Sequence, residues 1–177
     1  ISPKLQDVNI ISARPLPTPE KVKSEYPTTE KAGNSVISSR QTIRDILDRT
    51  DQRLLAIAGP CSIHDVDAGL DYAQRFAVLA EELSDVMFFV MRVYFCKPRT
   101  TIGWKGLIND PRLDGSFQVC EGLKLARRFL IDLAELGVPT GTEVMDPIIP
   151  QYIDDLIAWY AIGARTAESQ FHREIAS

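Results

Sequence analysis

The stretch Val86-Met87-Phe88-Phe89-Val90-Met91-Arg92-Val93 decides the fold of this chain. It is almost wholly apolar and rich in β-branched and aromatic side chains, which is typical of a strand buried on both faces. A similar run, Leu54-Leu55-Ala56-Ile57-Ala58, precedes it and is closed by Gly59-Pro60. Between the two runs, residues 67–83 carry apolar side chains at helical spacing. The pattern therefore predicts a β-α-β unit with parallel strands.

The same alternation of elements continues to the end of the chain. After a long polar loop, the pattern predicts a helix at 123–136, a strand at 140–145, a helix at 150–157, a strand at 159–164 and a helix at 169–176. Two α/β architectures fit this order. One is a doubly wound open sheet, and the other is about half of a (β/α)8 TIM barrel.

The residues before the first strand have a different character. Pro15, Pro17, Pro19 and Pro27 punctuate a polar segment. Prolines so close together predict an extended arm without a helix over about 1–33. Apolar residues then recur at helical spacing over 35–49, which predicts one amphipathic helix.

Length and composition restrict the class of protein. The 177 residues fit one domain but fall short of the roughly 250 residues of a complete (β/α)8 barrel. With 45% hydrophobic and 25% charged residues, the composition is that of a globular chain. The net charge of -4 argues against a nucleic-acid partner, and no apolar run is long enough for a membrane span. Three cysteines, with no visible secretory signal, predict free thiols in a cytoplasmic protein.

Chemically active side chains gather where the predicted strands end. They are Cys61 after the first strand, Arg92, Lys97, Arg99 and Thr100 after the second, Glu143 after the third and Arg165 after the fourth. We expect these residues to lie together, because the carboxyl ends of parallel strands form one face. Between 92 and 112 five basic residues accompany a single acidic one. Such a concentration of positive charge favours phosphate and carboxylate ligands.

Several of these residues also have a simpler structural interpretation. Cys61 alone is most often a small buried hydrophobe. Ser62 or Asp65 can cap the following helix. Glu143 is a candidate base or an ion-pair partner. Arg92 differs, because it ends a strongly apolar strand and needs an anionic partner if it is buried.

Several stretches of the chain resemble one enzyme family. They are 58–65 (AGPCSIHD), 91–95 (MRVYF), 97–106 (KPRTTIGWKG), 141–143 (GTE) and 163–170 (GARTAESQ). The chain resembles 3-deoxy-D-arabino-heptulosonate 7-phosphate (DAHP) synthase of the feedback-regulated microbial and fungal type. The stretch 97–106 is the most specific part of the match, and the resemblance is weakest over 1–30.

The resemblance implies an activity. It implies a (β/α)8 transferase that condenses phosphoenolpyruvate with D-erythrose 4-phosphate to give DAHP and phosphate, the first step of the shikimate pathway. A divalent metal ion of the Mn, Fe, Co or Zn class would polarise the aldehyde. An aromatic amino acid would act as feedback inhibitor, and the full-length enzyme would be a homo-oligomer.

The resemblance also implies roles for residues of this chain. Cys61 matches a metal ligand, and Lys97 and Glu143 match catalytic residues. Residues that match substrate-binding positions are Arg92, Lys97, Arg99, Thr100 and Arg165. Residues that fall in the family's inhibitor pocket are Asp146, Pro150, Gln151 and Ile175.

The resemblance suggests how the chain is organised. We expect an N-terminal arm and helix at 1–50 that make subunit and regulatory contacts, and the first half of the catalytic barrel at 51–177. The family's other metal ligands would lie past residue 177. We therefore expect an N-terminal fragment, inactive when isolated. A non-catalytic anion- or effector-binding module and an incomplete piece of the enzyme remain as alternatives.

Overall fold

Four parallel strands form the centre of the structure, a computed structural model that describes residues 8, 10 and 13–177. They are β1 (Leu54–Ala58), β2 (Met87–Arg92), β3 (Thr140–Val144) and β4 (Trp159–Ile162), hydrogen-bonded in the order β1-β2-β3-β4. Each strand lies beside its predecessor, as in a barrel wall, whereas a doubly wound sheet changes direction near its first strand. The fold is therefore α/β and corresponds to part of a TIM barrel.

Helices follow the strands and also precede them. The described helices are α1 (Pro19–Glu25), α2 (Glu30–Leu47), α3 (Val66–Glu82), α4 (Val119–Glu135), α5 (Pro150–Ile153) and α6 (Gln170–Ala176). A 3₁₀ turn, Asp154–Leu156, continues α5. The most deeply buried face belongs to α4, whose Phe129, Leu130 and Leu133 are fully enclosed. The core thus lies between the sheet and the helices that cover its outer side.

The strands and the later helices agree with the sequence prediction within a few residues. The strand predicted at 54–58 is β1 as predicted, and β4 ends two residues before the predicted end at 164. Asp65 caps α3 by accepting a hydrogen bond from the Ala68 N–H at 2.9 Å, as expected. The helix predicted at 123–136 begins earlier, at Val119, and includes Gly122.

The N-terminal segment departs from the prediction. An arm without a helix was wrong for its later part, because α1 occupies Pro19–Glu25. Pro19 lies in the first turn, where a missing N–H costs no hydrogen bond, and Thr18 caps the helix by accepting the Lys21 N–H. The helix predicted over 35–49 also begins earlier, because α2 starts at Glu30, where the Thr29 hydroxyl caps it by accepting the Ala32 N–H. Residues 1–7, 9, 11 and 12 of the predicted arm lie outside the described residues.

A buried arginine joins the N-terminal segment to the rest of the fold. Arg127 of α4 is 1% exposed and donates hydrogen bonds to the carbonyls of Tyr26 (2.7 Å) and Tyr152 (2.8 Å). It also pairs with both carboxylate oxygens of Asp155, at 2.8 and 2.9 Å, and reaches the Thr28 hydroxyl. One side chain therefore holds the segment after α1 against the turn after α5.

Two further findings bear on the class of protein. Cys61, Cys96 and Cys120 are all free thiols, as predicted. None of the helices in the described part of the chain is both long enough and apolar enough to cross a membrane.

Candidate active site at the carboxyl ends of the strands

Cys61 and Lys97 meet at the carboxyl ends of β1 and β2. The Lys97 ammonium donates to the Cys61 sulfur at 2.8 Å and to the Cys61 carbonyl at 3.0 Å. This hydrogen bond, followed by the charges of Lys97, Arg92 and Arg99, lowers the pKa of the exposed Cys61 thiol. The sequence predicted that these residues would lie together, and the structure places three cations around one thiol.

Backbone contacts hold the loop after β1 against the end of β2. The Ile63 N–H donates to the Tyr94 carbonyl at 2.9 Å. Gly59 lies so close to Arg92 that a Cβ there would be 2.8 Å from the Arg92 carbonyl oxygen and 2.9 Å from its nitrogen. A side chain at position 59 would therefore separate the two strand ends. Glycine at position 59 thus lets the segment before Cys61 lie directly against the end of β2.

Arg92 projects from the last position of β2 beside Tyr94. Its guanidinium carbon lies 3.9 Å from the centre of the Tyr94 ring. The Arg92 Nε is buried and has no hydrogen-bond partner among the described residues. A buried guanidinium nitrogen without an acceptor is costly, so an anionic ligand is the natural partner for this side chain.

The positive charge around Cys61 is not neutralised within the described part of the chain. The salt bridges found there involve other basic residues, such as Arg53, Arg112 and Arg127, and none includes Arg92, Lys97 or Arg99. Guanidinium and ammonium groups that lack carboxylate partners bind phosphate and carboxylate groups readily. The site is therefore suited to a small polyanion.

The other predicted site residues lie at the same end of the sheet. Glu143 is the fourth residue of β3, and its carboxylate packs against Gly163, where a Cβ would be 2.0 Å from Glu143 Oε1. Arg165 follows β4 and is exposed, as is Thr100 in the loop after β2. No direct contact joins Arg165 or Thr100 to Cys61 or Lys97 among the described hydrogen bonds.

Comparison with known proteins identifies the family. A profile of the DAHP synthetase I family matches residues 25–177. The chain belongs to this family. The chain is 53% identical over 173 residues to the Tyr-sensitive phospho-2-dehydro-3-deoxyheptonate aldolase of Escherichia coli K12. The aligned region covers 98% of this chain and 49% of that protein.

Two other members of the DAHP synthetase I family bear on fold and length. The phospho-2-dehydro-3-deoxyheptonate aldolase of Amycolatopsis methanolica is 48% identical over 98% of this chain and 86% of its own sequence. The solved structure of the enzyme from Francisella tularensis SCHU S4 superposes with a TM-score of 0.91 at 46% identity, covering 94% of this chain and 49% of that one. The chain thus spans about half the length of the Escherichia coli and Francisella proteins.

The residues predicted to bind an effector are only partly brought together in this DAHP synthetase I chain. A small pocket between β3, β4 and α5 is lined by Asp146 and Pro150, and also by Glu143. Gln151 is exposed and donates to the Pro147 carbonyl at 3.1 Å. Ile175 lies on α6, which packs on β4 and β3, and it does not line the pocket.

Cys61 is the side chain at this end of the described sheet that is best suited to bind a metal ion. Cys61 offers an accessible thiol whose lowered pKa favours the thiolate that metals bind. Within the described residues, however, no three or more His, Cys, Asp or Glu side chains lie close enough to hold a metal ion. A catalytic zinc site takes three protein ligands. The described residues therefore do not complete a metal site by themselves, and Cys61 is the single candidate ligand at this end of the described sheet.

Three aromatic and thiol groups at the site were not predicted from the sequence. Tyr94 stacks on Arg92, and Tyr160 has a buried hydroxyl without a partner among the described residues. Burial raises the pKa of Cys96 to about 12, with further increases from Asp146 and Glu143. The spacing of Arg92 and Tyr94 could have revealed their contact, because side chains two residues apart in a strand share one face.

Proposed function

We propose that this protein takes part in the condensation of phosphoenolpyruvate with D-erythrose 4-phosphate, which yields DAHP and phosphate. The observation that carries the proposal is the group of three cations, Arg92, Lys97 and Arg99, around the Cys61 thiol. Phosphoenolpyruvate bears a carboxylate and a phosphate, and erythrose 4-phosphate bears a second phosphate. A site with this excess of positive charge suits both substrates.

The reaction makes one carbon–carbon bond and replaces the carbon–oxygen bond to the phosphate with a carbon–oxygen bond to the oxygen of water. The methylene carbon of phosphoenolpyruvate attacks the aldehyde carbon of erythrose 4-phosphate, and the aldehyde oxygen takes a proton to become a hydroxyl. Water adds to the neighbouring carbon of phosphoenolpyruvate, and inorganic phosphate leaves. One water molecule is consumed, and no oxidant or reductant is needed.

The family resemblance and the chemistry of the side chains support a role for each of these residues. Arg92 and Arg165 hold the carboxylate and phosphate of phosphoenolpyruvate, since guanidinium groups bind such anions in a bidentate manner. Lys97, whose ammonium lies beside Cys61, acts as the proton donor in this proposal. Arg99 and Thr100 bind the phosphate of the aldose. The Glu143 carboxylate, at the end of β3, orients the water that adds to phosphoenolpyruvate.

The cofactor and the regulation belong to the same proposal. Cys61 supplies one ligand to a divalent metal ion, and the other ligands come from regions of the relatives that this chain does not span. Curated relatives are named Tyr-sensitive, Phe-sensitive and Trp-sensitive. An aromatic amino acid is therefore the proposed effector, bound near Asp146, Pro150, Gln151 and Ile175. The segment 1–50 would serve subunit contacts of a homo-oligomer, and 51–177 would form half of the barrel.

Calorimetric titration of the 177-residue chain with phosphoenolpyruvate tests the proposal. We expect saturable binding that weakens about tenfold or more in Arg92→Met, because a hydrogen bond to a charged group contributes about 1.5–3 kcal/mol. Lys105→Met is the matched control, since the Lys105 ammonium instead lies 5.9 Å from the Phe117 ring. Equal affinity in Arg92→Met and the control, or no binding by the unmodified chain, would overturn the proposal.

A non-catalytic anion-binding module is the second candidate. It is favoured by the lack of a complete set of metal ligands within the described residues. The two candidates differ in one assay, which is DAHP formation from both substrates with added Mn²⁺. We expect the chain alone to bind phosphoenolpyruvate without turnover, and turnover by the chain combined with the remaining part of a relative would favour the enzyme.

A further inference from the structure

Tyr94 lies under the guanidinium of Arg92 in a fixed position. Tyr94 follows Arg92 by two positions at the end of β2, so the two side chains point to the same side of the chain. Val93 and Phe95 point to the opposite side and are buried. The guanidinium carbon is 3.9 Å from the ring centre, well inside the roughly 6 Å limit for a cation–π contact. The Tyr94 backbone is itself held, because its carbonyl accepts the Ile63 N–H at 2.9 Å.

Few other contacts restrain the Arg92 side chain. In the described residues Arg92 has no carboxylate partner, and its Nε makes no hydrogen bond. Gly59 packs against the backbone and Cβ of Arg92. Among the contacts described for the Arg92 guanidinium, the Tyr94 ring is the one that lies against it.

Stacking on a ring leaves the donors of an arginine available. The five N–H groups of guanidinium lie in its plane, and a ring against the face of that plane blocks none of them. A guanidinium whose plane is already set loses less rotational freedom when it binds a planar carboxylate or a phosphate.

We propose that Tyr94 is a positioning residue for Arg92, whose aromatic ring sets the guanidinium plane that receives phosphoenolpyruvate. This inference rests on the proposed function of the site. The ring acts through its face, so the hydroxyl is dispensable. Loss of the ring should weaken phosphoenolpyruvate binding by up to about tenfold, because the guanidinium would then lose its rotational freedom on binding.

The test compares three forms of the 177-residue chain by calorimetric titration with phosphoenolpyruvate. Tyr94→Leu removes the ring and should weaken binding about tenfold. Tyr94→Phe keeps the ring and should stay within about twofold of the unmodified chain. If Tyr94→Leu lowers the melting temperature, Tyr94→Met takes its place, because an unbranched side chain fills irregular space without an aromatic face.

A double-mutant cycle separates positioning from a general structural effect. In an Arg92→Met background, Tyr94→Leu should weaken binding by less than about twofold further, because the group that the ring orients is gone. An independent tenfold loss there, or equal losses in Tyr94→Phe and Tyr94→Leu, would overturn the inference. Unchanged binding in Tyr94→Leu would overturn it while leaving the proposed function intact. Failure of the unmodified chain to bind would overturn both.

Discussion

Replacement of Arg127 by Met should destabilise the protein strongly. Met keeps an unbranched apolar stem but makes none of the five hydrogen bonds that Arg127 makes to Tyr26, Thr28, Tyr152 and Asp155. Asp155 would keep Thr28 and the more distant Lys23, at 3.6 Å, as partners. Removing one member of a buried ion pair costs about 3–5 kcal/mol, and Asp155 is one-third exposed. We therefore expect a loss of about 3 kcal/mol in the free energy of unfolding.

The pKa of Asp155 gives this loss a characteristic pH dependence. Burial alone would raise the pKa of Asp155, but hydrogen bonds from Arg127 and Thr28 and the charges of Arg127 and Lys23 lower it to about 2 from an ordinary 3.8. A carboxyl whose pKa is lowered by folding stabilises the folded state when the pH is above its pKa in the unfolded chain. That stabilisation is lost as the pH falls towards 2. The shift corresponds to about 1–2 kcal/mol once solvent screening is allowed for.

Urea denaturation followed by circular dichroism measures both effects. The difference in free energy of unfolding between the unmodified chain and Arg127→Met should be about 3 kcal/mol near pH 7 and should narrow as the pH falls from about 5 towards 2. Arg128→Met is the matched control, because Arg128 is the next residue of α4 and is exposed; a change below about 0.5 kcal/mol is expected there. A loss under about 1 kcal/mol in Arg127→Met, or a difference independent of pH, would refute the reasoning.

Three further outcomes are expected. Lys97→Met should slow alkylation of Cys61 near neutral pH, read by mass spectrometry of the Cys61 peptide, because the hydrogen bond and charge that lower the pKa of this thiol are lost; an equal slowing in Lys105→Met would refute this. Gly122→Ala should lower the free energy of unfolding, measured by urea denaturation, by about 2 kcal/mol, because its Cβ would be 2.2 Å from the Ile108 carbonyl oxygen. Gly33→Ala should not lower it, because the nearest atom to its Cβ would be 3.8 Å away. In the described structure β1 has one neighbouring strand and exposes Leu54 (66%) and Ile57 (41%). The chain should therefore self-associate in analytical sedimentation, and Ile57→Lys should reduce this association; a monodisperse monomer of the unmodified chain would contradict the prediction.

The strands and the gathering of polar residues at their ends could be predicted because both depend on local pattern. A buried apolar run such as β2 has few alternatives in a β-α-β context, and parallel strands necessarily bring their carboxyl ends to one face. The prediction that Cys61 and Lys97 lie together followed from this rule alone. The sequence pattern does not predict α1, because closely spaced prolines argue against a helix, although Pro19 occupies the one turn that accepts proline.

Contacts between distant segments could not be predicted in the same way. The bonds of Arg127 to Tyr26 and Thr28 join residues about 100 positions apart, and no local pattern encodes them. One signal was present: Arg127 follows Leu123 by four positions and lies on the same helical face. An arginine in an apolar stripe indicates a buried partner, but the sequence does not name that partner.

The position of bound phosphoenolpyruvate tests the proposed site most directly. A crystal structure of the 177-residue chain with this compound should show its carboxylate or phosphate within hydrogen-bond distance of the Arg92 guanidinium and the Lys97 ammonium, with Arg92 still stacked on Tyr94. Phosphoenolpyruvate bound elsewhere, with Arg92 and Lys97 making no contact to it, would contradict the assignment of this end of the sheet as the substrate site.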